Sequence, residues 1–230
     1  MRGFCIFQEE LRSLHSNNTW ELEQCPPDIK PIPVGWIFVV KKDSTGAVER
    51  FKARLVAKGF HQKEGIDYNE VFAPTGKYTT LRVLLSIAAT NNMEIHQLDI
   101  KTAFPNGDLD EEVYLEQPPM FAEGPPNTVC HLRKALYGLK QAPRQWHKKL
   151  KLELGRMGFT ASAADPGLFI HKGEMGLVFL LVYVDDILVI APNTSIVNKI
   201  KSMIADVFEI RDLGDLSFYL GITITRDRHN

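Results

Sequence analysis

The chain has 230 residues, 44% hydrophobic and 24% charged, so it can bury about 70% of its surface in a globular core. Intrinsic disorder as the main state is therefore excluded. A formal net charge of −1 excludes a globally basic nucleic-acid binder. Three scattered cysteines without a C-x-x-C pair predict neither a disulfide framework nor a zinc site.

Charge is nevertheless distributed unevenly along the chain. Residues 41–63 hold seven Lys or Arg against two acids, and residues 133–156 hold eight against one. Between them, residues 99–123 hold seven acids against one lysine. These segments are either solvated faces or, where basic, surfaces that contact phosphates.

Hydrophobic periodicity predicts a mixture of helices and strands. In chain order these are a helix at 7–16, strands at 34–42 and 48–58, a helix capped by Thr79 or Thr80 and ending near 92, a strand at 94–99, a helix at 143–157 ended by Gly158, strands at 168–171, 177–184 and 187–191, a helix from Ser195, and a final strand at 219–225. Residues 43–46 predict a hairpin loop between the first two strands. Without strict βαβ alternation, the pattern favours an α+β fold.

The second strand of this hairpin carries cations at every second or fourth position, namely Arg50, Lys52, Arg54 and Lys58. Because side chains alternate along a strand, these cations are expected on one face. That face is either an ordinary solvated surface or a surface that binds phosphates.

Two adjacent carboxylates, Asp185 and Asp186, interrupt the most apolar stretch, residues 177–191. The stretch is too short for a membrane span, and each central Asp would cost about 2.5–3.5 kcal/mol to insert. Adjacent acids between apolar strands persist most easily when a cation compensates them, and such oxygen ligands suit Mg²⁺ or Mn²⁺. The alternative is an Asp-rich hairpin tip in solvent.

Asp99, at the end of another apolar strand, adds a third carboxylate. Three carboxylates from two strand ends could hold two metal ions for in-line displacement at phosphorus. The alternative for Asp99 is a turn residue or a helix N-cap.

Short motifs run in a fixed order along roughly residues 17–225. They are NNTWEL (17–22), FKARLVAKGFHQKEGIDY (51–68), FAP (72–74), TTLRVLLSIAA (79–89), HQLDIKTAF (96–104), NGDLDEEVYLEQPP (106–119), LRKALYGLKQAPRQW (132–146), DPGLF (165–169), YVDDILV (183–189) and DLGDLSFYLGITI (212–224). In this order, they resemble the reverse transcriptase domain of Ty1/copia-type LTR retrotransposons.

The resemblance implies an α+β right-hand polymerase with fingers (roughly 17–77 and 112–143) and palm (roughly 78–111 and 144–226). An atypical lead-in at 1–16 precedes them, and the thumb is absent. The implied activity is RNA-directed DNA polymerisation, in which a nucleotide passes from a dNTP to a primer 3′-hydroxyl. The implied cofactors are two Mg²⁺ ions, for which Mn²⁺ can substitute.

The resemblance also implies residue roles. Catalysis and metal binding fall to Asp99, Asp185 and Asp186. The implied dNTP-binding residues are Phe104 (a steric gate against ribose), Gln141, Arg54, Lys52, Lys41 and Lys42. The implied primer or template contacts are Tyr183, Tyr219, Leu220 and Gly221.

One departure from the family concerns the implied gate. Pro105 stands where the family usually has Leu. Because proline lacks an N–H and restricts the residue before it, Pro105 is compatible with the gate only if Phe104 lies just before a helix N-terminus.

The implied partners are an RNA or DNA template-primer, dNTPs and the remainder of a Gag-Pol polyprotein, with integrase upstream and RNase H downstream, and no membrane. The chain is then a polyprotein slice or a broken gene copy, expected in the cytoplasm within a virus-like particle. Two alternatives stay open: a catalytically silent relic or domesticated fragment that only binds nucleic acid, and a nucleotidyltransferase acting on small molecules.

Overall fold

The computed structural model describes residues 2–42 and 47–228, without the side chains of residues 2–5, 41, 42 and 49. The chain forms two compact units, Met1–Phe72 with Phe104–Trp146 and Ala73–Ala103 with His147–Asn230. We call them the first and the second unit. In the described part, no helix is long and apolar enough to cross a membrane.

The elements confirm the predicted mixture of helices and strands. In chain order they are α1 (Arg2–Ser16), β1 (Trp20–Gln24), β2 (Val34–Lys42), β3 (Val48–Ala57), a 3₁₀ turn (Gly59–His61), α2 (Tyr78–Thr90), β4 (Glu94–Ile100), a 3₁₀ turn (Phe104–Asn106), β5 (Tyr114–Leu115), β6 (Thr128–Leu132), α3 (Ala142–Arg156), β7 (Thr160–Ala161), β8 (Leu168–Gly173), β9 (Gly176–Tyr183), β10 (Asp186–Ala191), α4 (Thr194–Ala205), β11 (Ile210–Asp215), β12 (Phe218–Tyr219) and β13 (Ile222–Thr223). The predicted hairpin loop at 43–46 lies outside the described residues.

The first unit contains an antiparallel sheet, in the order β1-β6-β5, and the β2–β3 hairpin. Its core includes the fully buried side chains of Leu14 in α1, Leu55 in β3 and Leu115 in β5. Helix α1 begins five residues earlier than the apolar pattern predicts.

The second unit contains a sheet in the order β11-β4-β10-β9-β8-β7, in which neighbouring strands are antiparallel. Leu81 and Leu84 of α2 pack on one face, against Leu181 and Leu188. Helix α4 contacts β4, β10 and β11. Because its central strands are covered on both sides, the 177–191 stretch reads as a continuous apolar run rather than an alternating one.

The predicted capping of α2 by Thr79 or Thr80 was wrong. The N-cap is Lys77, which makes no capping bond through its side chain. The distant carboxylate of Asp165 instead accepts hydrogen bonds from Lys77 N (2.9 Å) and Thr80 Oγ1 (2.5 Å). Burial alone would raise the pKa of Asp165, but these bonds lower it overall. The start of α2 is therefore capped by a residue that is distant in the sequence, so no local sequence pattern predicts this cap.

The predicted final strand at 219–225 was also wrong. Residues Phe218–Thr223 form a tight hairpin, in which Tyr219 pairs with Ile222. Both turn residues, Leu220 and Gly221, have positive φ, at 48° and 84°. Positive φ at both central residues is the signature of a type I′ turn, which matches the twist of the two flanking strands.

Candidate active site

Asp99 and Asp186 lie directly opposite each other on the antiparallel strands β4 and β10. Arg211 of β11 flanks Asp99, and Tyr183 of β9 flanks Asp186, so the four residues form one row across the sheet. Side chains of directly opposite residues share a face, with Cβ atoms about 4.5–5.5 Å apart. The strand register thus brings together two of the three predicted carboxylates, and Asp99 is a strand residue rather than a helix cap.

The third carboxylate, Asp185, belongs to the turn between β9 and β10. Tyr183 pairs with Asp186, so Val184 and Asp185 are the two turn residues. Val184 has a φ of 57°, a region that β-branched residues rarely adopt and that stores strain. The amide of Ile100 donates to the Asp185 carbonyl at 2.8 Å, which ties the turn to the end of β4.

The acidic turn is neither fully solvated nor fully buried. Asp99, Asp185 and Asp186 all have intermediate exposure. The amide of Gln97 donates from Nε2 to Oδ1 of Asp186 at 3.0 Å. Gln97 and Asp99 are two residues apart on β4 and share its face, so this bond orients Asp186 from the strand that carries Asp99.

The acidic turn offers few protein ligands for a metal ion. Across residues 2–42 and 47–228, no group of three His, Cys, Asp or Glu side chains is close enough to hold one. Mg²⁺ usually keeps several waters and binds through one or two carboxylates together with substrate phosphates. The facing pair Asp99 and Asp186 fits that kind of site, rather than a cage built from protein ligands alone.

The first unit brings two predicted dNTP-binding residues onto one aromatic ring. The guanidinium of Arg54 lies 4.7 Å from the centre of the Tyr137 ring. The Phe104 ring lies 4.7 Å from the same ring, tilted by 58°. Sequence reasoning missed Tyr137, although it lies in the LRKALYGLKQAPRQW motif. Its signal was an aromatic residue four positions before the glutamine chosen there.

Phe104 and Pro105 open the 3₁₀ turn Phe104–Asn106, closed by a hydrogen bond from Gly107 N to Phe104 O at 2.9 Å. The missing N–H of Pro105 therefore falls in the first turn, where no intrahelical acceptor exists. The expected position of Phe104 was just before a helix N-terminus, and Phe104 is instead the first residue of the 3₁₀ turn.

The predicted row of cations on one face of β3 is partly confirmed. Arg50, Lys52 and Arg54 lie on β3 opposite Lys41, Val39 and Ile37. They are two residues apart along the strand, so they lie on one face, as predicted. Strand β3 ends at Ala57, so Lys58 is not part of that face, contrary to prediction. The side chains of Lys41 and Lys42 lie outside the described part.

Gln141 is fully buried, and its side-chain amide bonds to residues of the protein itself. Its Oε1 accepts from Gln62 Nε2 at 2.9 Å, and its Nε2 donates to the Asp67 carbonyl at 2.8 Å. Gln62 Oε1 also accepts from Lys140 N at 2.7 Å. These bonds fix the loop that follows β3. Nucleotide contact by Gln141 stays a prediction.

Two glycines let this loop approach the 137–141 segment. A Cβ on Gly138 would lie 2.0 Å from the Ala57 carbonyl oxygen, and one on Gly59 would lie 2.0 Å from the Gly138 carbonyl oxygen. Gly138 also has a φ of 91°. Only glycine fits such a backbone approach.

The predicted primer or template residues differ in exposure. Tyr183 and Leu220 are half-buried and Gly221 is exposed, but Tyr219 is buried in the core of the second unit. The hydroxyl of Tyr78, the first residue of α2, donates to the Leu220 carbonyl at 3.2 Å. This bond holds the tip of the β12–β13 hairpin.

The fold is mixed α/β, and an acidic pair faces across neighbouring strands at a hairpin. The family described as "Reverse transcriptase (RNA-dependent DNA polymerase)" matches residues 17–230, so the chain belongs to this family.

The chain is 43% identical over 223 residues to "Retrovirus-related Pol polyprotein from transposon TNT 1-94" of Nicotiana tabacum, covering 96% of the chain and 17% of the relative. It is 41% identical over 219 residues to the corresponding polyprotein from transposon RE2 of Arabidopsis thaliana, covering 94% of the chain and 15% of the relative. It is 37% identical over 128 residues to a putative transposon Ty5-1 protein of Saccharomyces cerevisiae, covering 55% of the chain and 42% of that protein. The resemblance to copia-type Pol polyproteins is confirmed, and the chain spans less than a fifth of each plant relative.

Proposed function

We propose that this chain is an RNA-directed DNA polymerase core that transfers a nucleotide from a dNTP to a primer 3′-hydroxyl. The observation that carries the proposal is the placement of Asp99 opposite Asp186 at the Val184–Asp185 turn. Within a reverse transcriptase family member, such a carboxylate pair supports phosphoryl transfer rather than a purely structural role.

We assign the fingers to the first unit and the palm to the second. The first unit carries the cationic hairpin strand β3, and the second carries the acidic turn. The boundaries that the resemblance implies, fingers at 17–77 and 112–143 and palm at 78–111 and 144–226, differ from the two units at 73–77, 104–111 and 144–146, where the proposal follows the units.

Asp99, Asp186 and the turn residue Asp185 would hold the divalent cations. Bound Mg²⁺ or Mn²⁺ would lower the pKa of the attacking hydroxyl and neutralise charge on the phosphates. The chain's own contribution is orientation. Gln97 holds Asp186, and the amide of Ile100 holds the turn.

The dNTP-binding role is assigned to Arg54, Tyr137 and Phe104, with Lys52 on the same face of β3. The Nε of Arg54 is buried and has no hydrogen-bond partner, so a phosphate oxygen would satisfy a donor that is otherwise unpaired. Tyr137 orients the guanidinium by stacking and also supports the ring of Phe104. The three residues would act together, with Phe104 as the gate.

The proposed partners are a template-primer of RNA or DNA, dNTPs and the remainder of a Pol polyprotein, in a cytoplasmic virus-like particle. A second candidate is a nucleic-acid-binding relic without polymerase activity. It is favoured by the cations Arg50, Lys52 and Arg54, which share one face of β3 and can contact phosphates without catalysis.

Primer extension on an RNA template with Mg²⁺ or Mn²⁺ separates the two candidates. The proposal predicts extension by the wild type, its loss in Asp185→Asn and Asp186→Asn, and its retention in Asp108→Asn. Asp108 is a matched surface control, because it pairs with Lys134 in the first unit and is exposed. Salt-sensitive RNA binding with no extension by the wild type would instead support the relic.

A further inference from the structure

The buried side chain of Tyr219 has a hydroxyl group with no hydrogen-bond partner. The residue is 1% exposed, and its Oη makes no hydrogen bond within the described residues. The ring packs in the same core as Leu81 and Leu84 of α2. A buried polar group left unpaired is costly, and native proteins keep few of them without a reason.

Tyr219 belongs to the core that covers one face of the second unit's sheet. Leu181 of β9 and Leu188 of β10 are members of the same core cluster. Because side chains alternate along a strand, Tyr183 and Asp186, each two residues away, project from the same face as these leucines. The core residues around Tyr219 therefore lie on the same face of the sheet as the row of residues that contains Asp186.

Electrostatics agrees with this placement. Burial raises the pKa of Tyr219, and the negative charge of Asp186 is the next largest cause, ahead of Tyr183 and Tyr78. The hydroxyl of a tyrosine is a hydrogen-bond donor, and the Asp186 carboxylate is an acceptor that already receives one hydrogen bond, from Gln97.

We propose that the Tyr219 hydroxyl donates a hydrogen bond to the Asp186 carboxylate when that carboxylate binds a divalent cation. Tyr219 is then a positioning residue, which acts through Asp186 and not by touching the primer. The inference rests on the metal-binding part of the proposed function. Metal-ligating carboxylates are commonly held by such hydrogen bonds, and losing one typically weakens metal binding by 10- to 100-fold.

This role gives Tyr219→Phe a signature that a structural role lacks. Removing an unpaired buried hydroxyl should leave the melting temperature of the metal-free protein unchanged or higher. The same change should weaken Mn²⁺ binding by about 10- to 100-fold, because only the metal-bound state gains the hydrogen bond.

The test is Mn²⁺ titration, followed by electron paramagnetic resonance, of the wild type, Tyr219→Phe and Tyr78→Phe, with thermal melts of each without metal. Tyr78→Phe is the matched control, since it removes a neighbouring hydroxyl that bonds to the hairpin carbonyl of Leu220. We expect its Mn²⁺ affinity to stay within about twofold of the wild type.

Equal Mn²⁺ affinities of the wild type and Tyr219→Phe would overturn the inference and leave the proposed function intact. Weakened binding in Tyr78→Phe as well would overturn it in favour of a displaced hairpin. A lower melting temperature of metal-free Tyr219→Phe would overturn it in favour of a structural role. If the wild type binds no Mn²⁺, the metal-binding part of the proposed function fails, and the inference fails with it.

Discussion

Gln97 and Asp186 are joined across β4 and β10 by a hydrogen bond of 3.0 Å, from the amide Nε2 to the carboxylate Oδ1. Asp186 is thus oriented by the strand that carries Asp99. A hydrogen bond to a charged group contributes about 1.5–3 kcal/mol, enough to matter for the geometry of a ligating carboxylate.

Replacing Gln97 with Met keeps its length but removes the donor. We expect primer extension to slow about tenfold at an almost unchanged melting temperature, because Gln97 is only half-buried. Single-turnover kinetics and a thermal melt check this. The control is Gln24→Met, which removes an exposed amide bonded to Thr128. Similar slowing in both variants would contradict the proposed role of Gln97.

Arg54 and Arg50 lie on the same face of β3, but only Arg54 lies over the Tyr137 ring. We expect Arg54→Ala to raise the KM for dNTP about tenfold, because it removes a guanidinium that stacking holds in place. Arg50→Ala, at an exposed position, is the control and should change the KM less than threefold. Steady-state incorporation of one nucleotide measures both, and equal effects would exclude a specific role for Arg54.

Replacing the buried Gln141 with Leu leaves the amide of Gln62 and the carbonyl of Asp67 without partners. We expect the free energy of unfolding to fall by about 2–3 kcal/mol and the loop after β3 to become sensitive to protease. Urea denaturation and limited proteolysis measure these effects. The control is Gln8→Leu, at an exposed position of α1. A changed KM for dNTP at unchanged stability would instead favour direct nucleotide contact by Gln141.

Pro105→Leu tests whether the proline displaces the implied gate. Because Pro105 lies in the first turn of a 3₁₀ helix, its missing N–H costs no hydrogen bond. We expect the rate of primer extension to stay within about twofold of the wild type. The free energy of unfolding should fall by less than about 1 kcal/mol, because leucine gives the unfolded chain more conformational freedom than proline does. Extension by Pro105→Leu alone, with a silent wild type, would show that the proline damages this copy.

His96 belongs to a polar cluster of the second unit, in which His96 and Lys201 are largely buried and the carboxylates of Asp212 and Asp215 are exposed. Lys201 Nζ donates to His96 Nδ1 at 2.9 Å and to both carboxylate oxygens of Asp212. His96 Nε2 lies 3.1 Å from Asp215 Oδ1. Burial lowers the pKa of His96 from 6.5, and the charge of Lys201 lowers it further, against the opposing charges of Asp215, Asp212 and Glu94. The uncharged form of the His96 ring is therefore favoured, and in that form Nδ1 can accept the hydrogen bond from Lys201.

The pH dependence of stability follows from this lowered pKa. The contribution of His96 is present above the unfolded value of 6.5 and is lost as the pH falls through the lower folded pKa. We expect urea denaturation to show this loss below pH 6.5 in the wild type and in His61→Gln, an exposed control, and less of it in His96→Gln. An equal pH dependence of the free energy of unfolding in all three proteins would contradict the assignment of this loss to His96.

Local patterns in the sequence were enough to locate most elements and the acidic turn. Strand period and flanking apolar runs predicted β2, β3, β9 and β10, because each pattern is read from neighbouring residues. The ordered motifs identified the family without any knowledge of contacts. The capping of α2 and the terminal hairpin were predicted wrongly, because they depend on Asp165 and on an unusual Leu220 backbone.

The sequence by itself determined the family, the mixed α/β class and the residues that carry carboxylates and cations. Only the tertiary structure decided that Asp99 faces Asp186, that Arg54 and Phe104 meet on Tyr137, and that Gln141 is buried. The physical reason is that strand register and side-chain burial depend on packing between segments far apart in the chain. Since a one-residue shift in register would turn Asp99 to the opposite face, no local pattern can specify that pairing.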